Sequence, residues 1–467
     1  MNTLTTEHTP DNIIASWLDD HQEELVNTAD YIFHHPELAY QETLSSKCLA
    51  DYLESQGFKI TWKTAGIDTA FTAVWGGGKP ILGFLAEYDA LAGVGHACGH
   101  NLLGTAVAAA ACALKADMET TGAAGTICVY GCPAEEIMSG KIVMNDQGVF
   151  DDLDVAITWH PFDRNRVSND IWQAQDIKNY TFHGLSSHAA KAPEKGRSAL
   201  DALELMNVGV QFLREHVPLD TRIHYAITNT GGAAPGTVQP YAEGLYLLRA
   251  VQLPQVKDLY RRVNLIAQGA AMMTETQVDI EFIKACSNMV LNSELNQVMQ
   301  RNLSEVPPAD FDEDDLDLAR QFRQTIPARP SYFDSLAAEV TDPEERARLD
   351  QEADAPIHRL VMPLAQERQG FVSSDVGDVS WNCPVAQINA ATMPAGLAMH
   401  SWQMVAVGKT PMAKKGMLYA AKVMAGSAID ALENPSILQR AKEEFLRRTG
   451  GQAYESPIPP QVNPKVP

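Results

Sequence analysis

Short apolar runs alternate with longer amphipathic segments along most of the chain. The runs at 81–86, 125–130, 153–158 and 385–390 are typical of buried strands. Longer segments, such as residues 11–33, repeat apolar positions at helical spacing and predict helices. Strands that alternate with helices in this way predict an α/β protein with a mixed, mostly parallel sheet.

The spacing of the elements changes in the middle of the chain. Residues 176–286 predict a strand, a helix, two strands (the second at 237–251), a helix and a strand, which is the β-α-β-β-α-β order of a ferredoxin-like unit. Helical periodicity resumes at 290–305, so we expect this unit to be inserted into the α/β domain. The predicted domains are a discontinuous α/β domain of residues 1–178 and 289–467, and an inserted domain of residues 179–288.

Residues that bind metals or transfer protons follow several of the apolar runs. The run at 81–86 stops at Glu87, and a glycine-punctuated loop with acidic, thiol and imidazole side chains comes next. Parallel strands bring such residues together at the carboxyl edge of a sheet. The candidate site residues are Asp89, Cys98, His100, Glu135, Glu136, His160 and His400.

Sulfur, nitrogen and oxygen donors in such proximity suit zinc or a similar divalent ion. Two ions need roughly six to eight donor positions, which this set can supply. The adjacent acids Glu135 and Glu136 favour a division of labour in which one binds metal and the other moves protons. Alternative readings are a core cysteine between two hydrogen-bonded histidines, and a solvated turn for the two acids.

The net charge and the cysteine content limit the partners and the cellular location expected for this protein. The formal net charge is -23 and the pI is about 4.9, which disfavours nucleic acid or an anionic membrane as a partner. The seven cysteines are odd in number and form no CxxC pair, so we expect reduced thiols and a cytoplasmic location. The first residues lack a signal-peptide pattern, and no run reaches the length of a membrane span.

Several longer motifs resemble a known family. The chain is similar to the dinuclear metallohydrolases that include aminoacylases, carboxypeptidase G and indole-acetyl-amino-acid amidohydrolases, and most similar to the B-type members of the aminobenzoyl-glutamate hydrolase group. The resemblance covers nearly the whole chain except 307–369 and the termini. The motifs that carry it are residues 99–104, 130–136, 158–161, 187–190, 196–202, 224–229 and 374–381.

The resemblance implies roles for the candidate residues. Glu135 matches the general base, and Asp89 matches an acid that orients a metal ligand or the site. Glu87 stands where relatives have a ligand histidine, so its role is open. The cofactors implied are two divalent ions per chain, zinc or manganese. Their ligands by resemblance are Cys98, as the bridging ligand, with His100, Glu136, His160 and His400.

In the inserted domain, the resemblance implies a lid that also forms a dimer. His188 matches a residue that polarises the scissile carbonyl, often in the partner subunit's site. Asn229 and Arg249 match lid positions that contact substrate. The chain departs from the family at 235–238, where Pro-Gly-Thr-Val replaces the expected Pro-Asn-Val and removes an asparagine amide.

The predicted function is metal-dependent hydrolysis of the amide bond of a small N-acyl amino acid or dipeptide with a free carboxylate. Aminobenzoyl-glutamate is the leading example, and water activated by the metals would be deprotonated by Glu135. The expected state is a homodimer through the lid, with a hetero-oligomer as the alternative. The other functions considered are a dipeptidase on other dipeptides, a cysteine-nucleophile hydrolase using Cys98, and a non-catalytic subunit. No chemistry is assigned to the acidic segment 307–369.

Overall fold

The computed structural model describes residues 10–137, 139–326, 340–370, 372–460 and 462. Its longer strands form on the apolar runs of the sequence. The strands are β1 (Lys59–Trp62), β2 (Phe71–Gly77), β3 (Ile81–Glu87), β4 (Gly125–Cys132), β5 (Val155–Phe162), β6 (Arg166–Val167), β7 (Asp170–Ile171), β8 (Ala174–His183), β9 (Ser187–His188), β10 (Arg222–Asn229), β11 (Thr237–Val238), β12 (Tyr241–Ala250), β13 (Gln277–Cys286), β14 (Arg368–Gln369) and β15 (Val385–Ala391).

Some helices pack directly on a sheet, and others pack on neighbouring helices. None of the helices in the described ranges is long and apolar enough to cross a membrane. The α-helices are Pro10–Asp20, Gln22–His34, Thr43–Ser55, His100–Thr121, Gly140–Asp146, Ala199–Leu213, Leu253–Thr274, Ser293–Glu305, Glu313–Arg323, Pro343–Glu352, Val376–Val379, Trp402–Val407, Pro411–Glu433 and Pro435–Thr449.

The larger sheet positions the candidate residues. Its strand order within the described residues is β1-β2-β4-β3-β5-β15-β6. The four central strands β4, β3, β5 and β15 run parallel, while the outer pairs are antiparallel. The predicted mixed α/β fold is therefore confirmed, although parallel pairing is limited to the centre. Since parallel strands end at the same edge, the residues that follow β3, β4 and β5 come together there.

A second, four-stranded sheet forms in the middle of the chain. Its order is β10-β12-β8-β13, and every neighbouring pair is antiparallel. The helices Ala199–Leu213 and Leu253–Thr274 cover one face and enclose a separate apolar cluster. The domain boundaries at 178 and 288, and the role of this unit as a lid, stay predictions.

Two predicted elements are divided in the structure. The helix expected over 11–33 is two helices separated at His21, where the backbone leaves helical geometry with φ -106° and ψ 7°. The strand expected over 237–251 is the short β11 followed by β12. Pro240 lies between them, and proline has no backbone N–H to donate to a strand partner.

The acidic run in the 307–369 segment starts a helix. Asp312 accepts a hydrogen bond from the backbone N–H of Asp315 at 3.0 Å and caps the helix Glu313–Arg323. Lys415 forms ion pairs with Asp312 at 2.7 Å and with the buried Asp315 at 2.6 Å. Asp312, Glu313 and Asp314 are exposed on this helix, while Asp315 is buried against the helix that carries Lys415.

Candidate functional site

The candidate metal ligands meet at the carboxyl edge of the larger sheet. Cys98 Sγ lies 3.4 Å from His160 Nε2, although the two residues come from a loop and a strand. Cys98, His100 and His160 form one set whose ligand atoms lie within 4.8 Å of one another. Cys98 also belongs to a second set with Glu136 and His400. One thiol is thus shared between two candidate metal positions.

Gly99 lets the ligand-bearing segments approach the Cys98 loop. Its φ is 78°, in the left-handed region that favours glycine. A Cβ at this position would lie 2.9 Å from Met404 Cε and 3.0 Å from Pro161 Cγ. Met404 follows His400 and Pro161 follows His160, so a larger residue at position 99 would separate both segments from the loop.

Asp89 connects two of the candidate ligands. Its Oδ1 lies 2.9 Å from His100 Nδ1, and its Oδ2 accepts a hydrogen bond from the backbone N–H of Glu136 at 2.9 Å. Burial opposes ionisation of Asp89, but the hydrogen bond and charge of His100 hold its pKa below the usual value. Because Nδ1 of His100 is held by Asp89, Nε2 is the atom directed at the site.

The other two histidines present Nε2 as well. His160 Nδ1 donates to the backbone oxygen of Pro161 at 2.9 Å, which leaves Nε2 facing Cys98. Burial, followed by the charge of His100, lowers the pKa of His160 to about 4, so its ring is neutral as a metal ligand requires. His400 has a φ of 61°, and its Nε2 lies 3.7 Å from Glu136 Oε2.

The two adjacent glutamates follow a left-handed residue at the end of β4. Ala134 has a φ of 60°, and its backbone N–H donates to the buried carboxylate of Glu42 at 2.9 Å. Burial raises the pKa of Glu136 to about 7, and burial followed by the charge of Glu87 raises the pKa of Glu135. A nearby cation would therefore stabilise the ionised form of each carboxyl group.

A buried lysine stands beside this acidic cluster. Lys141 Nζ lies 2.7 Å from Glu87 Oε1 and 2.6 Å from Asp375 Oδ1, and all three side chains are buried. Burial alone would lower the pKa of Lys141, but Asp375 and Glu87 raise it well above the usual value. The other oxygen of Glu87, Oε2, lies 3.3 Å from His100 Nε2. Glu87 therefore links a permanent cation to a candidate ligand.

The site has the chemistry that a divalent metal ion needs. Oε1 of Glu136 is buried without a hydrogen bond among the described residues, and Nε2 of His100 likewise makes none, although Glu87 Oε2 lies 3.3 Å from it. Such atoms are costly unless something binds them. A third set of ligand atoms, from Glu87, His100 and Glu135, also lies within 4.8 Å. Sulfur, nitrogen and oxygen donors at this spacing suit a divalent metal ion.

The predicted lid residues lie on the four-stranded sheet and its connections, outside these ligand sets. His188 is exposed in β9, and its Nδ1 accepts from the backbone N–H groups of Ala190 and Lys191 at 3.2 and 3.1 Å. Asn229 is exposed at the end of β10, and its Oδ1 accepts from the N–H of Gly231 at 2.8 Å. Arg249 lines a cavity of about 390 Å³ with Gln173, Arg222, His224 and Leu247.

Sequence reasoning missed the residues that support the site. Lys141 lies in a short helix with no motif around it, and Glu42 belongs to an unremarked stretch before Thr43–Ser55. Asp375 stands within one of the motifs that carry the family resemblance, 374–381, which was the only sequence signal available for it. The roles predicted for the ligands, for Glu135 and for Asp89 stay predictions, although the structure brings these side chains together.

Known proteins resemble this chain in sequence and in fold, although no family model matches it. It is 40% identical over 462 residues to the B-type subunit of p-aminobenzoyl-glutamate hydrolase from Escherichia coli strain K12, covering 95% of this chain and 96% of that protein. It is 34% identical over 279 residues to Xaa-Arg dipeptidase of Mus musculus, covering 57% and 64%. A dinuclear metal-binding peptidase of the M20 family from Bacillus subtilis superposes with a TM-score of 0.56 and 16% identity, covering 89% and 99%.

Proposed function

Since this chain belongs to the family of p-aminobenzoyl-glutamate hydrolase, and is a hydrolase of amide bonds with an M20-type fold, we propose that it cleaves a small N-acyl amino acid with a free carboxylate. The leading substrate is p-aminobenzoyl-glutamate. The resemblance and the hydrolase class expected from sequence are confirmed. The observation that best supports the proposal is the sharing of Cys98 by two ligand sets, with the Glu135 carboxylate beside them.

We propose that Cys98, His100, Glu136, His160 and His400 hold two divalent ions, zinc or manganese. Bound ions of this kind polarise a carbonyl and acidify water. Asp89 fixes the ring of His100 and the backbone of Glu136, so that both ligands are oriented before metal arrives. Lys141 holds Glu87 in place through its ion pair.

Glu135 acts as the general base in this proposal. Its carboxylate is buried, and its Oε2 lies 3.9 Å from His100 Nε2. Its raised pKa suits a group that takes a proton from the attacking water and later delivers it to the leaving amine. His188 donates a hydrogen bond to the developing oxyanion from the partner subunit of a lid-mediated homodimer, and Asn229 and Arg249 contact the substrate.

A dipeptidase is the second candidate, because the mouse relative is named as an Xaa-Arg dipeptidase. A substrate that ends in arginine would bring a cation toward the four-stranded sheet, where Arg222, Arg249 and Lys284 already lie. A substrate with an additional carboxylate would instead bring a negative charge toward these cationic side chains. We therefore place an acidic N-acyl amino acid first.

The test is hydrolysis by the purified chain alone, loaded with zinc or with manganese. We expect release of p-aminobenzoate from p-aminobenzoyl-glutamate, slower turnover of an Xaa-Arg dipeptide, and loss of both activities after chelation. Activity that survives complete metal removal would favour Cys98 as a nucleophile. A metal-loaded chain that becomes active only with a second polypeptide would indicate a subunit role, and one that prefers the dipeptide would reverse the ranking of substrates.

A further inference from the structure

Lys284 reaches the metal-ligand cluster from the four-stranded sheet because of an irregularity in β13. The pairing of β13 with β8 shifts between Phe282, opposite Lys178, and Lys284, opposite Ile177. The extra residue has the form of a β-bulge, which changes the direction of the side chains that follow it. Such bulges are frequent next to active sites.

The register shows which face Lys284 occupies. Lys178 Nζ lies 3.9 Å from the ring centre of Tyr260, so Lys178 faces the helix Leu253–Thr274. Its neighbour Ile177 faces the other way, and directly opposite residues share a face. Lys284, opposite Ile177, is therefore on the face away from the helices.

The ammonium group of Lys284 lies at the ligand cluster. Its Nζ donates to the backbone oxygen of Glu136 at 3.2 Å, and its side chain is partly buried. Lys284 is thus the lysine of the four-stranded sheet that touches the segment carrying Glu135 and Glu136.

Lys284 differs from the buried lysine of the site. Lys141 is held between the carboxylates of Glu87 and Asp375. In the described residues, no carboxylate lies within ion-pair distance of Lys284 Nζ, whose hydrogen-bond acceptor is a neutral carbonyl. A partly desolvated ammonium is stabilised by an anion, and the carboxylates nearby are candidate ligands of the metals.

The same face carries further cations across the sheet. Arg222 of β10 lies directly opposite Arg249 of β12. His224 also shares a row across the sheet with Lys284, because Leu247 and Ile177 lie between them in register. The helix-covered face is apolar instead, with Tyr180 and Tyr246 in its core. A negatively charged molecule at the metal cluster would therefore meet Lys284 first and a basic surface beyond it.

We propose that Lys284 binds a carboxylate of the substrate and so selects acidic N-acyl amino acids, an inference that rests on the proposed function. The residue acts in binding and makes no contribution to proton transfer. A charge-assisted hydrogen bond of this kind changes affinity by roughly 10- to 100-fold. The group bound is either the α-carboxylate or a side-chain carboxylate, and the choice of substrate separates the two.

The experiment measures binding without turnover. Metal-loaded Glu135→Gln protein is titrated with p-aminobenzoyl-glutamate by calorimetry, alone and combined with Lys284→Met, Lys284→Arg or Lys257→Met. Lys257 is an exposed lysine on the helix-covered side, paired with Glu455, so its variant controls for the loss of one charge. We expect Lys284→Met to weaken binding about 10- to 100-fold, Lys284→Arg to restore part of it, and Lys257→Met to have no effect.

Two analogues, each with one of the two carboxylates replaced by an amide, identify the group that is bound. If Lys284 binds the side chain, Lys284→Met has no effect on p-aminobenzoyl-glutamine; if it binds the α-carboxylate, the effect disappears with the α-amide of p-aminobenzoyl-glutamate. Equal weakening of all three compounds, or loss of metal in Lys284→Met, would overturn the proposal and leave Lys284 as a structural contact of Glu136. In parallel, wild-type turnover tests the proposed function itself. Failure of turnover with intact Lys284-dependent binding would reject the reaction but keep the binding residue, and absence of any binding would reject both.

Discussion

The seven-stranded sheet and the four-stranded sheet carry their polar groups in opposite ways. At the edge of the larger sheet, charged side chains are buried and tied to one another, with His100 held by Asp89 and Lys141 held by Glu87 and Asp375. On the four-stranded sheet, Asn229 is exposed and bonded to nearby backbone, as is His188 of β9 in the connection after β8, and Lys284 contacts a carbonyl. The first region is preorganised by internal contacts. The second depends on what is brought to it, either a substrate or another subunit.

The largest expected effect comes from the preorganised region. Glu135→Gln should lower kcat by about 100- to 10,000-fold, because the amide is nearly isosteric and cannot accept a proton from water. Bound metal, measured by elemental analysis, should stay close to two equivalents. Glu136→Gln should instead weaken metal binding. If the two variants exchange these phenotypes, the roles within the pair are reversed.

Removing the ammonium group of Lys141 should have the next largest effect. Lys141→Met removes the cation that pairs with the buried carboxylates of Glu87 and Asp375, and removing one partner of a buried pair costs about 3 to 5 kcal/mol in unfolding free energy. Urea unfolding of metal-free protein measures the change. Lys47→Met is the matched control, because Lys47 pairs with Asp51 on the exposed face of the helix Thr43–Ser55 and its loss should change little. Equal stability of the two variants would show that Lys141 is not part of the preorganisation.

His188→Ala tests whether His188 supplies a group to the site at the edge of the larger sheet. Losing one oxyanion donor lowers kcat by about 100- to 1,000-fold, and metal content should not change. If the contact is made by the partner subunit, mixing inactive His188→Ala with inactive Glu135→Gln should restore activity, since one site of the mixed dimer has both residues. Subunits that exchange without any return of activity would place the action of His188 within its own chain, or nowhere in the reaction.

The smallest effect concerns a buried acid of the four-stranded sheet. Burial raises the pKa of Asp176 to about 7, and Lys178, whose Nζ is 3.3 Å away, opposes the shift. An unfolded Asp titrates near 3.9, so the native state holds an extra proton between that pH and 7, and stability falls as pH rises through this window. Wild type should lose about 2 kcal/mol more than Asp176→Asn between pH 5 and 7.

Urea unfolding at the two pH values measures that difference, with the metal removed so that the ligand cluster contributes equally to both proteins. A gap between wild type and Asp176→Asn that stays constant with pH would mean that Lys178 keeps Asp176 ionised. The four-stranded sheet would then pair its buried charges as fully as the larger sheet does, and the contrast between the two regions would be reduced to their exposed residues.

The amino-acid sequence by itself determined the α/β class, and it predicted the candidate ligands that the structure brings together. Ligand residues stand directly after apolar runs, and the parallel pairing of β4, β3 and β5 brings such positions together at one edge. Residue type and position at or after a strand were therefore sufficient to predict that Cys98, His100 and His160 come together. The divided helix at His21 and the break at Pro240 were missed, because apolar periodicity continues across them.

Only the tertiary structure decided how the site is supported. Lys141 and Asp375 are separated by 234 positions along the chain, and their pairing follows from burial beside Glu87. Glu42 reaches the backbone of Ala134 across 92 positions, and Lys284 reaches Glu136 across 148. The periodicity of apolar residues contains no information about contacts between residues so far apart along the chain. They arise because a buried charge or N–H group must find a partner wherever packing places one.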